Sequence, residues 1–191
     1  MLDIRSWDCA ETMHLTVRHE ASHVVVGSLL LDILPQTVSC RPYGETCGHC
    51  DWANRIHGFG TDQIPGGKRG YARNVIAMHM AGRAGVGLLA CGYPESKWAD
   101  DRNAAIKWAI RLVWSDTHPG SERIVWESQA EFQQADVRAN EILAEETARA
   151  TAILGTPTAA RAVEILAEAV LEKVELDEGD ILDLLRGSSL G

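Results

Sequence analysis

The sequence predicts a mainly α-helical chain with a small β-hairpin or sheet in its first half. Three observations carry this. An apolar, helix-like run from Leu15 to Leu34 ends at Pro35; a Gly- and Pro-rich interval follows from Gln36 to Gly70; and a long Ala/Glu-rich stretch extends from Ser121 to Leu154. At 191 residues the chain can bury a core of its own.

The first helix is expected from about Glu11 to Leu34, because Pro35 cannot continue it. Short extended pieces around Thr37-Val38-Ser39 and from Ile56 to Thr61, set among glycines and prolines, suggest a hairpin or three-stranded sheet with long loops. A second helix is expected over Tyr71 to Ala90, stopped near Gly92-Tyr93-Pro94. A third spans about Trp98 to Ser115, with Asp100 and Asp101 in the first turn, where carboxylates suit the helix dipole. Ser121 to Leu154 reads as one long helix with room for a single break, and Gly155-Thr156-Pro157-Thr158 ends it. Helices over Ala159 to Val174 and Glu178 to Leu185 complete the set.

A net charge of −9 offers no basic stripe for phosphates, which argues against nucleic acid as a partner. No apolar stretch approaches the roughly 18 residues that cross a bilayer, so no membrane partner is expected. The segment from Met1 to Ser6 lacks the basic and apolar regions of a signal peptide, so the expected location is the cytoplasm. Five cysteines suit reduced thiols or metal binding better than a closed disulfide framework.

The most specific pattern is His19-Glu20-Ala21-Ser22-His23, an H-E-x-x-H pentad inside the first helix. Residues i and i+4 lie on one helical face, so His19 and His23 can share one metal ion, and Glu20 can take a proton from a water there. This composition yields such a pentad by chance only about 0.02 times per chain. A catalytic zinc needs a third protein ligand and one open position. A histidine six residues after the second is excluded, because that position is Leu29, and the glycine that accompanies it is replaced by Val26. Glu45 has a workable separation but sits in a Gly/Pro/Cys loop and is discounted. His49, His57, His79, Cys91, Asp100 and Asp101 remain. Adjacent helical residues point about 100° apart, so at most one of the two aspartates can face the metal.

Three blocks, "RHEASHVVVGSLL", "AGRAGVGLL" and "ADDRNAAIKWAIRLV", resemble in order and spacing the peptidase domain of the FtsH-type ATP-dependent zinc metalloproteases. The closing "ILAEAVLEKVELDEGDILDLL" is similar to that family's last helices, so the resemblance runs from about Val17 to Leu185. It implies a single zincin-like H-E-x-x-H domain over 1–191. A zinc-binding part would cover 1–120, including a Cys-containing loop at 36–70, and a C-terminal helical bundle 121–191. It implies Asp101 as third ligand beside His19 and His23, with Glu20 as the catalytic base. The implied activity is zinc-dependent endopeptidase cleavage of flexible or unfolded polypeptides. The alternative is a weak or inactive module of the same fold that binds or regulates. The resemblance also suggests a homo-oligomer, hexameric in the family, and a separate ATPase as partner.

The sequence departs from the family in four places. Ser22 replaces a glycine, Val86 stands where an acidic residue is usual, no P-loop occurs, and the Cys40–Cys50 loop is an insertion. The Gly66-Gly67-Lys68-Arg69 run lacks the spacing and the Ser/Thr of a nucleotide loop. The expectation is therefore a stand-alone, ATP-independent peptidase. Ala81-Gly82-Arg83-Ala84-Gly85 reads as a small-residue face that lets the zinc helix approach. In the inserted loop, Cys40, Cys47, Cys50 and His49, with His57 as a substitute, form candidates for a second, structural zinc; free thiols are the simpler expectation.

Overall fold

The computed structural model describes residues 9–41, 48–52, 55–59, 61–87, 98–188 and 190. The first helix, α1 (Cys9–Leu31), carries Val17, Ala21, Val24, Val25 and Val26, all buried. Burial around so much of its circumference makes it a central rather than a surface helix. It ends three residues before the expected stop. Asp32 takes a φ of 54°, a left-handed position that Asp tolerates better than most residues, and this turns the chain before Pro35 acts.

A three-stranded antiparallel sheet follows, in the order β2-β1-β3. β1 (Thr37–Ser39) and β2 (His49–Asp51) form the expected hairpin, with Val38 opposite Cys50. The third strand is not at Ile56 to Thr61: residues 56–59 and 61 carry no strand. It is β3 (Glu175–Asp177), near the other end of the chain, with Leu176 opposite Val38. The stretch around residue 60 is instead pinned to a helix, since Ile64 donates its N–H to Ser115 Oγ at 2.7 Å and Arg111 donates to the carbonyls of Thr61 and Asp62.

A single 3-10 turn (Gly66–Lys68) leads into α2 (Arg69–Gly87). The expected extension to Ala90 and its stop at Gly92 to Pro94 lie outside the described residues. α3 (Ala99–Thr117) matches expectation within two residues. α4 (Gln129–Leu154) starts later than Ser121, because Ser128 caps it by accepting from Glu131 N at 3.2 Å. α5 (Pro157–Lys173) opens with Thr156 as N-cap and Pro157 in its first turn, and α6 (Glu178–Gly187) opens on Asp177, which accepts from Asp180 N at 2.8 Å.

Two cores share α2 between them. Ala77, Met78, Ala81 and Ala84 face a core built with α1, α5, α6 and the sheet. Ala72, Val75, Ile76 and Met80 face a second core with α3, α4 and Ile64. The C-terminal helices therefore pack directly on the N-terminal ones, α5 on α1 and α4 on α2 and α3. Among the described residues no helix is long and apolar enough to cross a membrane.

Candidate metal centre

Three helices build the site. α1 presents His19 and His23 one turn apart, with ring centroids 4.7 Å apart and planes at 79°. α2 lies behind them, and its approach depends on small residues. A Cβ on Gly82 would fall 2.4 to 2.6 Å from His19 ring atoms, and one on Gly85 would fall 1.9 Å from Ser22 Oγ. The A-G-R-A-G run is the close-packing face expected of it.

α3 brings Asp101 from its first turn. Asp101 Oδ2 lies 2.8 Å from His19 Nε2 and 3.2 Å from His23 Nε2, and the two Nε2 atoms are 3.1 Å apart. Donors around a tetrahedral ion with bonds of about 2.0–2.1 Å stand roughly 3.3 Å apart, so this triangle is close to the size such an ion requires. His23 Nδ1 donates to the carbonyl of Met78 at 2.7 Å, which points Nε2 at the centre and fixes the tautomer a metal needs. The histidine side chains are nearly buried, at 6% and 4% exposure, while Asp101 keeps 26%. Solvent reaches the group from the α3 side. Two imidazoles and one carboxylate in this arrangement can hold a metal ion.

The electrostatics follow from the same contacts. Burial opposes a charge on His23. The Asp101 carboxylate, its hydrogen bond and the Glu20 charge outweigh that burial and lift the His23 pKa to about 9. Burial would raise Asp101, but the His23 charge and the hydrogen bonds from both histidines hold it well below the usual carboxylate range. His79, one residue after Met78, is pushed down to about 4 by burial and then by the His23 charge, so it is neutral at pH 7.

Glu20 is 9% exposed and lies under the start of β2. Its carbonyl accepts from the Cys50 thiol at 3.4 Å. Burial, then the Glu20 carboxylate, push that thiol well above its ordinary value, which keeps it protonated and unreactive.

Of the six candidates for a third ligand, the structure brings Asp101 against His19 and His23. Asp100 is exposed on a different face of α3, His57 is exposed, and Cys91 lies outside the described residues. The candidate second metal site is not assembled among the described residues, where His19, His23 and Asp101 are the one group able to share an ion. The Cys40 thiol donates to the carbonyls of Val170 and Val174, Cys50 donates to Glu20, and Cys47 lies outside the described residues. Sequence reasoning does not find the Met78 carbonyl, because a main-chain acceptor leaves no residue signature. It also does not anticipate that Cys50 packs on Glu20. Compared with known proteins, the chain is matched by no family model and by no curated protein sequence.

Proposed function

We propose that this chain is a zinc-dependent endopeptidase acting on flexible or unfolded polypeptides, of the kind found in the FtsH-type peptidase domain. The observation that supports this reading most is the convergence of His19 Nε2, His23 Nε2 and Asp101 Oδ2, 2.8 to 3.2 Å from one another, with Glu20 next to the first histidine on the same helix. Zinc bound there would polarise the scissile carbonyl and make a water acidic enough to attack near neutral pH. Glu20 accepts that water's proton and returns it to the leaving amine. The substrate lies extended along the outer edge of β2, the strand packed on Glu20, where main-chain hydrogen bonds set its register. The sequence holds no P-loop, and the substrates in this reading are flexible or unfolded chains, whether or not an ATPase delivers them.

One observation favours the alternative of an inactive binding module. Val86, where the similar family carries an acidic residue, is buried and offers no carboxylate to steady the site. A cleavage assay on an unfolded protein such as casein separates the two. Wild type with Zn2+ is expected to cleave, and Glu20→Gln to bind metal as before but lose turnover by about 100-fold or more. A Glu20→Gln protein as active as wild type removes Glu20 from the mechanism. A zinc-loaded wild type without cleavage leaves the binding module.

A further inference from the structure

The accessible flank of the metal group is not electrically neutral. A narrow crevice there is lined by His79, Met80 and Arg83 from α2 and by Trp98, Asp101 and Arg102 from the start of α3. Arg83 is exposed, and its guanidinium lies over the Trp98 ring, 5.0 Å from the centroid. A guanidinium over an aromatic face can still offer its N–H edges to an acceptor.

The chain has 27 acidic against 18 basic residues, and several of its arginines are paired with carboxylates. Arg18 meets Glu164, Arg55 meets Glu178, Arg69 meets Asp116 and Arg73 meets Glu145 and Glu146. Among the described residues Arg83 has no such partner. Arg102 donates to the neutral amide oxygen of Asn140 at 2.9 Å and has no carboxylate partner among the described residues. Two guanidinium groups without a carboxylate partner among the described residues thus flank Asp101, the one carboxylate in the crevice lining. A metal ion on Asp101 would add further positive charge.

We propose that this mouth recognises a carboxylate of the substrate beside the bond to be cleaved, with Arg83 as the specificity-determining residue. This inference rests on the metallopeptidase reading above. The crevice walls meet too closely to admit a group between them, so the carboxylate lies across the opening against the Arg83 fork, with Arg102 adding charge from α3. The carboxylate belongs to an Asp or Glu side chain or to the C-terminus of a short peptide. Both present the same planar, bidentate acceptor.

The test uses zinc-loaded full-length protein and matched quenched-fluorescence peptides carrying Glu or Gln on either side of the scissile bond. Each peptide is made with a free or an amidated C-terminus. Wild type is expected to show kcat/KM at least about tenfold higher for the carboxylate-bearing member of a pair, as a charge-assisted bidentate contact allows. A Glu-over-Gln preference assigns the side chain, and a free-over-amidated preference assigns the terminus. In Arg83→Gln the ratio should fall toward one, and in Arg83→Lys it should fall partway, since the charge remains but the fork is lost. Peptide binding to the Glu20→Gln protein, measured by fluorescence anisotropy, should show the same preference without turnover. Equal rates for the paired peptides in wild type, or a preference that survives Arg83→Gln, overturns the proposal while leaving the peptidase reading intact. Absence of cleavage of every peptide by wild type overturns the peptidase reading, and the proposal with it.

Discussion

His23 donates from Nδ1 to the carbonyl of Met78 across the α1–α2 contact, at 2.7 Å, and so the second helix sets the direction in which a ligand on the first helix points. The metal group is a property of three packed helices rather than of a five-residue motif.

Asp101 and Asp100 should behave differently despite being neighbours. Asp101→Ala removes one of three donors and is expected to weaken Zn2+ binding by at least about 100-fold, measured by competition with a chromogenic chelator. Asp100→Ala, on an exposed position of α3, should stay within about twofold of wild type. Equal losses in the two variants would remove Asp101 from the ligand set.

Metal binding should release a proton. With its pKa raised to about 9, His23 is charged at pH 7 before the metal arrives, and coordination needs its neutral form. Apparent affinity is expected to rise about tenfold per pH unit from pH 7 and to level off above about pH 9. The same shift has a consequence for the metal-free fold. A folded pKa above the unfolded value of 6.5 contributes stability that is complete below pH 6.5 and is lost as pH rises through about 9. Calorimetric titration in buffers of different ionisation heat reads the proton release directly, and a pH-independent affinity would contradict it.

Gly82→Ala should damage both fold and site. The new methyl would overlap the His19 ring, so the α1–α2 contact must open, at a cost of about 1–3 kcal/mol. The melting midpoint of the metal-free protein should fall, and Zn2+ affinity should fall with it. Gly87→Ala, at the end of the same helix with nothing near its Cβ position, is the control and should change neither.

Val174 holds a φ of 71° and ψ of −32°, close to the rare γ-turn conformation and strained for a β-branched side chain. Its carbonyl nonetheless receives Cys40 N at 3.0 Å and Ser39 Oγ at 3.3 Å, tying α5 to β1. Val174→Gly relieves the strain and keeps that carbonyl, so a gain of about 1 kcal/mol is expected in chemical denaturation. A loss of stability would mean that the Val174 side chain contributes more than its backbone costs.

The helices and the shared face of His19 and His23 were legible in the sequence because they depend on local periodicity. An i, i+4 pair lies on one face wherever the helix goes. Asp101 was not legible from spacing alone, since it lies 78 residues beyond His23 and only the packing of α3 on α2, which lies against α1, brings it there. The family resemblance separated it from five rivals. β3 was missed for a related reason: Glu175-Leu176-Asp177 has no strand-like composition and is extended because β1 offers it an edge. The start of α4 was an avoidable miss, because Ser128 and Glu131 stand at the S-x-x-E spacing of a helix cap. The cysteines illustrate the limit of motif reading. Cys47 and Cys50 have the C-x-x-C spacing of ligands, yet the Cys50 thiol, like that of Cys40, is engaged by a main-chain carbonyl, and Cys47 lies outside the described residues.

The place of β3 in the sheet also fixes an order of events during synthesis. β1 emerges from the ribosome early, but the Val174 carbonyl that receives Cys40 comes 134 residues later. α1 can meet α2 and α3 once α3 is out, whereas α5, which packs on α1, and the strand that completes the sheet emerge only after the whole of α4. A nascent chain therefore carries His19, His23 and Asp101 long before it carries the structure that holds α1 in place. The residues from α5 to β3 act as a latch on α1, and a nascent chain that stopped short of residue 175 would display an unfinished centre.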